Sequence, residues 1–148
     1  MAITLLHTPA KIVQVALIDL GLGYAPVTGS DKEWQIHVGR EADSPDRSIT
    51  VYNTTGRKLG RYMDGSNAVY RGFLVQVRGE SLPAAAKRAE AIYSALQSVY
   101  QQWARMDNSA YLIHAFIDIR DPADIGKDPD TQRNLFTVNS LVKITRAI

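Results

Sequence analysis

The stretch SLPAAAKRAEAIYSALQSVYQQW, residues 81–103, decides the fold of this chain. Ser81 and Pro83 give it a helix N-cap and a first-turn proline, where a missing backbone N–H costs nothing. The apolar side chains that follow recur every three or four residues, which is the spacing of one helix face. They are Leu82, Ala85, Ala89, Ile92, Leu96, Val99 and Trp103. The pattern predicts a long amphipathic helix, whose burial at about 1.5–3 kcal/mol per apolar side chain dominates the driving force for folding.

One helix and three strands are predicted before this stretch. Thr8 and Pro9 repeat the cap-and-proline pattern, and apolar residues at helical spacing continue up to Gly21, so a helix is predicted over residues 9–21. Alternation of apolar and polar residues then predicts three strands. They cover about residues 34–38, 49–53 and 69–78. A loop rich in glycine and charge, residues 54–67, connects the last two strands.

The period returns to two after the long helix. Strands are predicted over about residues 111–119 and 133–145, with an acidic loop over residues 121–130 between them. The predicted order is α-β-β-β-α-β-β within a single domain, residues 1–148. We therefore predict an α+β fold in which a mainly antiparallel sheet has both helices packed on one face. A ferredoxin-like split arrangement is the rival topology.

The composition limits the function classes that need considering. The absence of cysteine excludes disulfides, cysteine-ligated metals and thiol nucleophiles. The formal net charge of +2 is too balanced for non-specific nucleic-acid binding, which needs a concentrated basic face. No apolar run approaches the roughly 20 residues of a membrane span. Residues 1–6 lack the pattern of a signal peptide, so we expect neither secretion by that route nor a membrane partner.

Sequence signatures of catalysis are missing. The histidines His7, His37 and His114 occur singly, without a spacing typical of metal ligation. No serine lies in a GxSxG elbow, and no glycine-rich nucleotide-binding motif occurs. We therefore expect a protein without enzymatic activity and without a cofactor.

A cluster of acidic residues leaves one enzymatic alternative open. It consists of Asp118, Asp121, Asp124, Asp128 and Asp130. Carboxylates at such density can hold Ca²⁺ or Mg²⁺, which would suit a metal-dependent hydrolase. The spacing differs from that of a calcium-binding loop, and Arg120, Lys127 and Arg133 interleave to neutralise the charge. A solvated loop or a protein interface is therefore the preferred interpretation.

A second cluster is basic and falls mostly in the loop over residues 54–67. It comprises Arg57, Lys58 and Arg61, with Arg71 and Arg78 further along the chain. These cations can contact DNA phosphates or an acidic partner surface, although a solvated loop tip is the plainer interpretation. A DNA-binding module is thus a further function class. It predicts affinity for duplex DNA that falls steeply with salt concentration.

Several short segments carry a family resemblance when they are taken in order. They are PD at residues 45–46, ITVYNTTG at 49–56, VQVRG at 75–79, the spaced alanines of 85–91 with Ile92 and Leu96, GKD at 126–128, Arg133, and FTVN at 136–139. As a set they resemble the minor capsid and tail-terminator proteins of tailed bacteriophages. The resemblance covers residues 45–142, and residues 1–44 carry no motif of that family.

The resemblance implies a structural subunit that forms a ring, expected to be hexameric. Such a ring caps the finished tail tube, ends its polymerisation and faces the head connector, so the expected partners are other copies of the chain, the tail tube protein and the connector. The subunit would be assembled in the host cytoplasm and end in the virion at the head–tail junction. Genome DNA would pass through the ring without specific binding. A head-completion or head–tail connector protein is the alternative within phage assembly.

Ring formation also gives a physical basis for assigning surfaces. A closed ring needs two different contact patches on each subunit. The sheet face away from the helices is predicted to contact a neighbouring subunit, because its side chains make it too apolar for a free surface. They are Tyr52, Tyr70, Leu74, Leu112 and Phe116. The charged loops over residues 55–67 and 120–133 are then expected to contact tube and connector. The predicted interface residues are Arg57, Lys58, Arg61, Arg71, Asp124, Lys127, Asp128 and Arg133.

Overall fold

A computed structural model describes residues 5–27, 32–40, 46–61, 67–107, 109–127 and 132–146. These residues form two helices and seven strands in one sheet. The elements are α1 (Pro9–Asp19), β1 (Gln35–Val38), β2 (Ser48–Arg61), β3 (Asn67–Gly79), α2 (Leu82–Ser98), β4 (Tyr100–Met106), β5 (Ser109–Ile117), β6 (Ala123–Lys127) and β7 (Asn134–Arg146). The sheet order is β1-β2-β3-β7-β5-β4, and β6 also pairs with β7. Only β1 and β2 are parallel among these pairs.

The predicted fold class is confirmed. The protein is α+β, its sheet is mainly antiparallel, and the predicted order of helices and strands is present. Both helices contribute to one apolar cluster with the sheet, which includes Leu17 of α1, Ile92 of α2 and Val75 of β3. Because Val75 lies between its pairing partners Val51 and Val138, this cluster marks the helix-covered face of the sheet. The opposite face is called the open face below.

The long helix ends earlier than its apolar pattern predicted. α2 stops at Ser98, and Val99 turns the chain into the extended strand β4. The spacing of Val99 and Trp103 fits a helix, but QQWARM also alternates, with Ala104 buried and Trp103 43% exposed. Pairing of β4 with β5 therefore prevails over helical continuation. The predicted burial of Leu82 and Trp103 on the helix face was wrong, since Leu82 is also 48% exposed.

A bulge in β5 corrects the predicted faces of that strand. The register against β7 shifts between Ile113 and Ala115, so one extra residue reverses the alternation. Phe116 consequently joins Ile113 on the helix-covered face, where its ring packs edge-on against Phe73 at a centroid distance of 5.5 Å. The prediction that Phe116 belongs to the open face was therefore wrong.

Two predicted loops contain strand structure. Residues 54–61 continue β2, and β6 lies within the predicted acidic loop. β5 and β6 run one after the other along β7, and the interruption between them is bridged where the Arg120 N–H donates to the Asn139 carbonyl at 2.9 Å. β7 thus lies at the centre of the sheet, with β3 on one side and the interrupted strand on the other.

Candidate functional site

The structure divides the predicted interface residues between two ends of the sheet. The β3–β7 ladder runs from the pair Arg71–Val142 to the pair Gly79–Asn134. Arg57 and Arg71 lie at the first end, called the hairpin end because β2 and β3 continue past it as a two-stranded arm. Asp124, Lys127 and Arg133 lie at or next to the second end, called the loop end. At about 3.3 Å per residue, the ends are roughly 26 Å apart.

Three of the predicted residues cannot be placed in the same way. Lys58 and Arg61 belong to β2 in the projecting arm, but their side chains lie outside the described part of the chain. Asp128 lies outside the described residues altogether. The prediction for these three therefore stays a prediction.

The hairpin end encloses a cavity of about 350 Å³ beside the N-terminus of α1. It is lined by Thr8, Pro9, Asn53, Thr54, Gly56, Arg57, Tyr70, Arg71 and Gly72. A register shift between Thr54 and Arg57 gives the cavity its shape. The shift requires glycine at position 56, because a Cβ there would collide with the Tyr70 carbonyl. The bulge and the helix start therefore form one recess at the base of the arm.

The electrostatics of this recess favour an anion. Arg57 and Arg71 are exposed, and neither forms an ion pair within the described part of the chain. The N-terminus of α1 adds its positive dipole, although two of its N–H groups are already satisfied. Thr8 accepts from Lys11 N, and Asn53 Oδ1 accepts from Ala10 N at 2.9 Å. Acidic side chains of a partner are suitable ligands for the two free guanidinium groups.

At the loop end, Arg133 and Asp124 have partners within the subunit. Arg133 Nε lies 2.7 Å from Asp46 Oδ1, which joins the start of β7 to the segment before β2. Asp124 Oδ1 accepts from Gly126 N at 2.8 Å and so shapes its own turn. Lys127 is exposed at the end of β6. Of the predicted residues here, Lys127 is thus the most available for a partner, whereas Arg133 and Asp124 also hold the local structure.

The open face of the sheet is partly apolar, as predicted from its strand pattern. Three apolar cross-strand pairs lie on it, namely Tyr52–Leu74, Ile117–Leu141 and Trp103–Leu112. Neither helix covers them, since both helices pack on the opposite face. Five of these six side chains are half-buried, and Trp103 is 43% exposed. Tyr100, at the start of the edge strand β4, is 77% exposed.

One polar cluster escaped the sequence analysis because its members are far apart in the chain. His7 Nδ1 lies 2.7 Å from the Tyr111 hydroxyl, and His7 Nε2 lies 3.2 Å from Asp107 Oδ2. The Tyr111 oxygen also accepts from Leu6 N at 3.1 Å. The hydrogen bonds of this cluster connect the segment before α1 to β5 and so stabilise the contact between them.

The other candidate groups of the sequence analysis remain dispersed. His37 lies on β1 and His114 on β5, where His114 Nε2 is 2.7 Å from Thr145 Oγ1. Within the described residues, no three side chains of His, Asp or Glu converge as metal ligands would. Neither described helix is both long enough and apolar enough to cross a bilayer. No protein-family model matches the chain, and no curated protein matches it.

Proposed function

We propose that this chain is a structural assembly protein of a tailed bacteriophage, whose subunits form a closed ring at the head–tail junction. The ring, expected to be hexameric, caps the tail tube, ends its polymerisation and presents its other end to the head. One observation carries the proposal. Among the described residues predicted to contact tube and connector, Arg57 and Arg71 lie at one end of the sheet and Lys127 and Arg133 at the other, roughly 26 Å apart at 3.3 Å per residue, which suits a ring with two axial partners.

The projecting arm supports a role in assembly. Beyond Thr54 and Arg71, β2 and β3 pair only with each other within the described residues. A two-stranded ribbon without a third strand or a packed face is only marginally stable in water. A partner that contacts the arm would supply the missing neighbour. Arg57 and Arg71 at its base, which form no ion pair among the described residues, would direct that contact toward an acidic surface.

The open face and the sheet edges support association of several copies. A soluble monomer rarely leaves a large apolar patch uncovered, and such patches mark sites of protein association. In the strand order of the described residues, β1 and β4 stand at the two ends, and they differ in length, direction of pairing and side chains. Two different edges suit the heterologous contacts of a closed ring, whereas a two-fold dimer uses the same patch twice.

The test combines molecular mass with microscopy. We expect light scattering to give a ring of about six subunits, and negative staining to show rings alone and density on the ends of cognate tail tubes. A matched variant replaces residues 59–68 by an Asn-Gly turn between the paired residues Lys58 and Val69, which shortens the arm. It should form rings and fail to cap. A chain that stays monomeric at every concentration and ignores tubes contradicts the proposal.

The hairpin end also keeps a second candidate function open. Two exposed guanidinium groups beside a helix N-terminus can bind phosphate as well as carboxylate. A DNA-binding module would show affinity for duplex DNA that falls with salt and is lost in the double variant Arg57→Glu/Arg71→Glu. Binding of that kind without ring formation would favour this second function over the first.

A further inference from the structure

The two flanks of α2 carry opposite charge. On the side toward β1 and β2 lies a cleft of about 630 Å³, called the basic cleft, in which Arg47, Lys87 and Arg88 surround Trp34. On the side toward the interruption between β5 and β6 lies an acidic flank formed by Glu90, Tyr93 and Asp121. Arg88 and Tyr93 are five positions apart, which places them about 140° apart around the helix, whereas Lys87 and Glu90, three positions apart, lie about 60° apart where the two flanks meet.

Two cations of the basic cleft lack carboxylate partners within the described part of the chain. Arg88 lies over the Trp34 ring at 4.5 Å and donates from Nη1 to the Leu22 carbonyl at 3.1 Å. Burial lowers the pKa of Arg88, as expected for a guanidinium with no carboxylate beside it. Lys87 is exposed at the rim of the cleft. A ligand that brings carboxylates would therefore complete this site.

Arg47, in contrast, is already paired. Its Nη2 lies 2.6 Å from Glu80 Oε1, and its Nη1 lies 3.3 Å from Glu33 Oε2. The hydrogen bond from Arg47 holds the pKa of Glu80 below its usual range. Arg47 thus forms a fixed wall of the cleft, and the uncompensated positive charge comes from Lys87 and Arg88.

The acidic flank is arranged around Tyr93. The Tyr93 hydroxyl donates a hydrogen bond to the Asp121 carboxylate, which together with partial burial and the charge of Asp121 raises the pKa of Tyr93. The charge of Glu90 acts on the same hydroxyl. Asp121 is exposed, and no basic side chain pairs with it within the described residues. The Asp121 carboxylate thus lies beside Tyr93 on this flank.

We propose that the basic cleft of one subunit receives the acidic flank of a second copy of this chain. Asp121 and Glu90 of that copy would face Lys87 and Arg88, and the contact, repeated around the ring, would set its direction. The charge complementarity of the two flanks supports this occupant, and the flanks are different patches, with Arg88 and Tyr93 about 140° apart around α2, as a heterologous interface requires. The inference rests on the proposed ring.

Charge reversal tests the pairing. The cleft variant is Lys87→Glu/Arg88→Glu, and the flank variant is Glu90→Lys/Asp121→Lys. Each should need at least about tenfold higher concentration to form rings, because like charges then face each other. Mixing the two in equal amounts should restore rings, since the flank of each matches the cleft of the other. A chain that carries all four changes should also form rings by itself.

Two further variants keep the experiment interpretable. Replacing Arg88 removes its contacts with Trp34 and Leu22, so the single variant Lys87→Glu, at an exposed position, is measured alongside to separate misfolding from loss of pairing. Lys11→Glu is the matched control, because it makes the same charge change on the exposed surface of α1. It should assemble as the unaltered chain does.

Each outcome is decisive. Restoration by mixing, with the control unchanged, supports the pairing. Rings that tolerate both reversals overturn it and leave the proposed function intact, and if those rings no longer cap tubes, the cleft belongs to an axial partner. Loss of rings in both variants without rescue by mixing also overturns it. An unaltered chain that forms no ring overturns this inference together with the proposed function.

Discussion

The Nδ1 atom of His7 lies 2.7 Å from the hydroxyl oxygen of Tyr111, across 104 positions of sequence. The rings meet edge to face at a centroid distance of 5.6 Å, and Tyr111 is fully buried. The Asp107 carboxylate can only accept, so the His7 Nε2–H donates to it. In the neutral ring Nδ1 is then the acceptor for the Tyr111 hydroxyl, whose oxygen accepts from the Leu6 N–H.

Removing the Tyr111 hydroxyl should destabilise the subunit. Tyr111→Phe keeps the ring in the core but leaves Leu6 N and His7 Nδ1 without their partner, at an expected cost of about 1–3 kcal/mol in the free energy of unfolding. Urea denaturation measures this loss. Tyr100→Phe is the matched control, since Tyr100 is 77% exposed, and it should change the free energy little. Equal effects of the two variants would show that the Tyr111 hydroxyl does not stabilise the contact between the segment before α1 and β5.

The early end of α2 gives a second stability prediction. Leu96 is fully buried and Trp103 is 43% exposed, although one helical stripe would have buried both. Leu96→Ala should therefore cost about 2–5 kcal/mol in the free energy of unfolding. Trp103→Ala should cost much less in the isolated subunit. Comparable losses in thermal or urea unfolding would indicate that the helix continues through residue 103.

Acid should weaken the fold through His37. Burial first, and the charge of Arg78 second, lower the pKa of His37 from its ordinary value of 6.5, and its buried Nε2 has no hydrogen-bond partner in the described chain. The unfolded chain therefore binds more protons below pH 6.5. The free energy of unfolding should fall as the pH drops below that value toward the lower folded pKa.

The variant His37→Gln isolates this contribution. Its free energy of unfolding should vary less steeply with pH over the same acidic range, and the difference in slope should correspond to less than one proton. Near pH 8 the variant and the unaltered chain should show the same dependence on pH. His114 has a pKa lowered by burial and by Lys143, so part of the acid sensitivity should remain. An unaltered slope in the His37 variant would rule out its role.

The recess at the hairpin end should be needed for capping and not for folding. Arg57→Glu/Arg71→Glu replaces two exposed cations that make no ion pairs in the described chain, so the free energy of unfolding should change by less than about 0.5 kcal/mol. Capping of tail tubes, counted in negative stain, should be lost while rings persist. A double variant that caps normally would remove this recess from the interface.

The parts of the fold that could be predicted from the sequence are those that local signals determine. The start of α2 at Ser81 and that of α1 at Thr8 are set by caps and prolines, which act within a few residues. The end of α2 was not predictable in the same way, because Val99 and Trp103 fit both a helical and an alternating pattern. Only the pairing of β4 with β5, a contact between segments, decides between them.

The candidate functional site depends even more than the helix end on contacts between segments that are distant in the sequence. The basic residues around Arg57 were recognisable from composition, but their distance from Lys127 depends on the pairing of β3 with β7, two strands separated by α2 and three other strands. The ion pair of Arg133 with Asp46 and the proximity of Asp121 to Tyr93 likewise arise from tertiary contacts. No spacing in the sequence signals them.

The central position of β7 has a consequence for the timing of assembly. A growing chain that ends before Asn134 can form only two separate fragments of the sheet, β1-β2-β3 and β4-β5. The strand β7, which pairs with both β3 and β5, is still missing. Such fragments expose apolar faces and have low independent stability. In the proposed ring, the surface that recognises another copy would therefore be complete only once β7 has been synthesised. Chains that lack β7 would then be excluded from a growing ring.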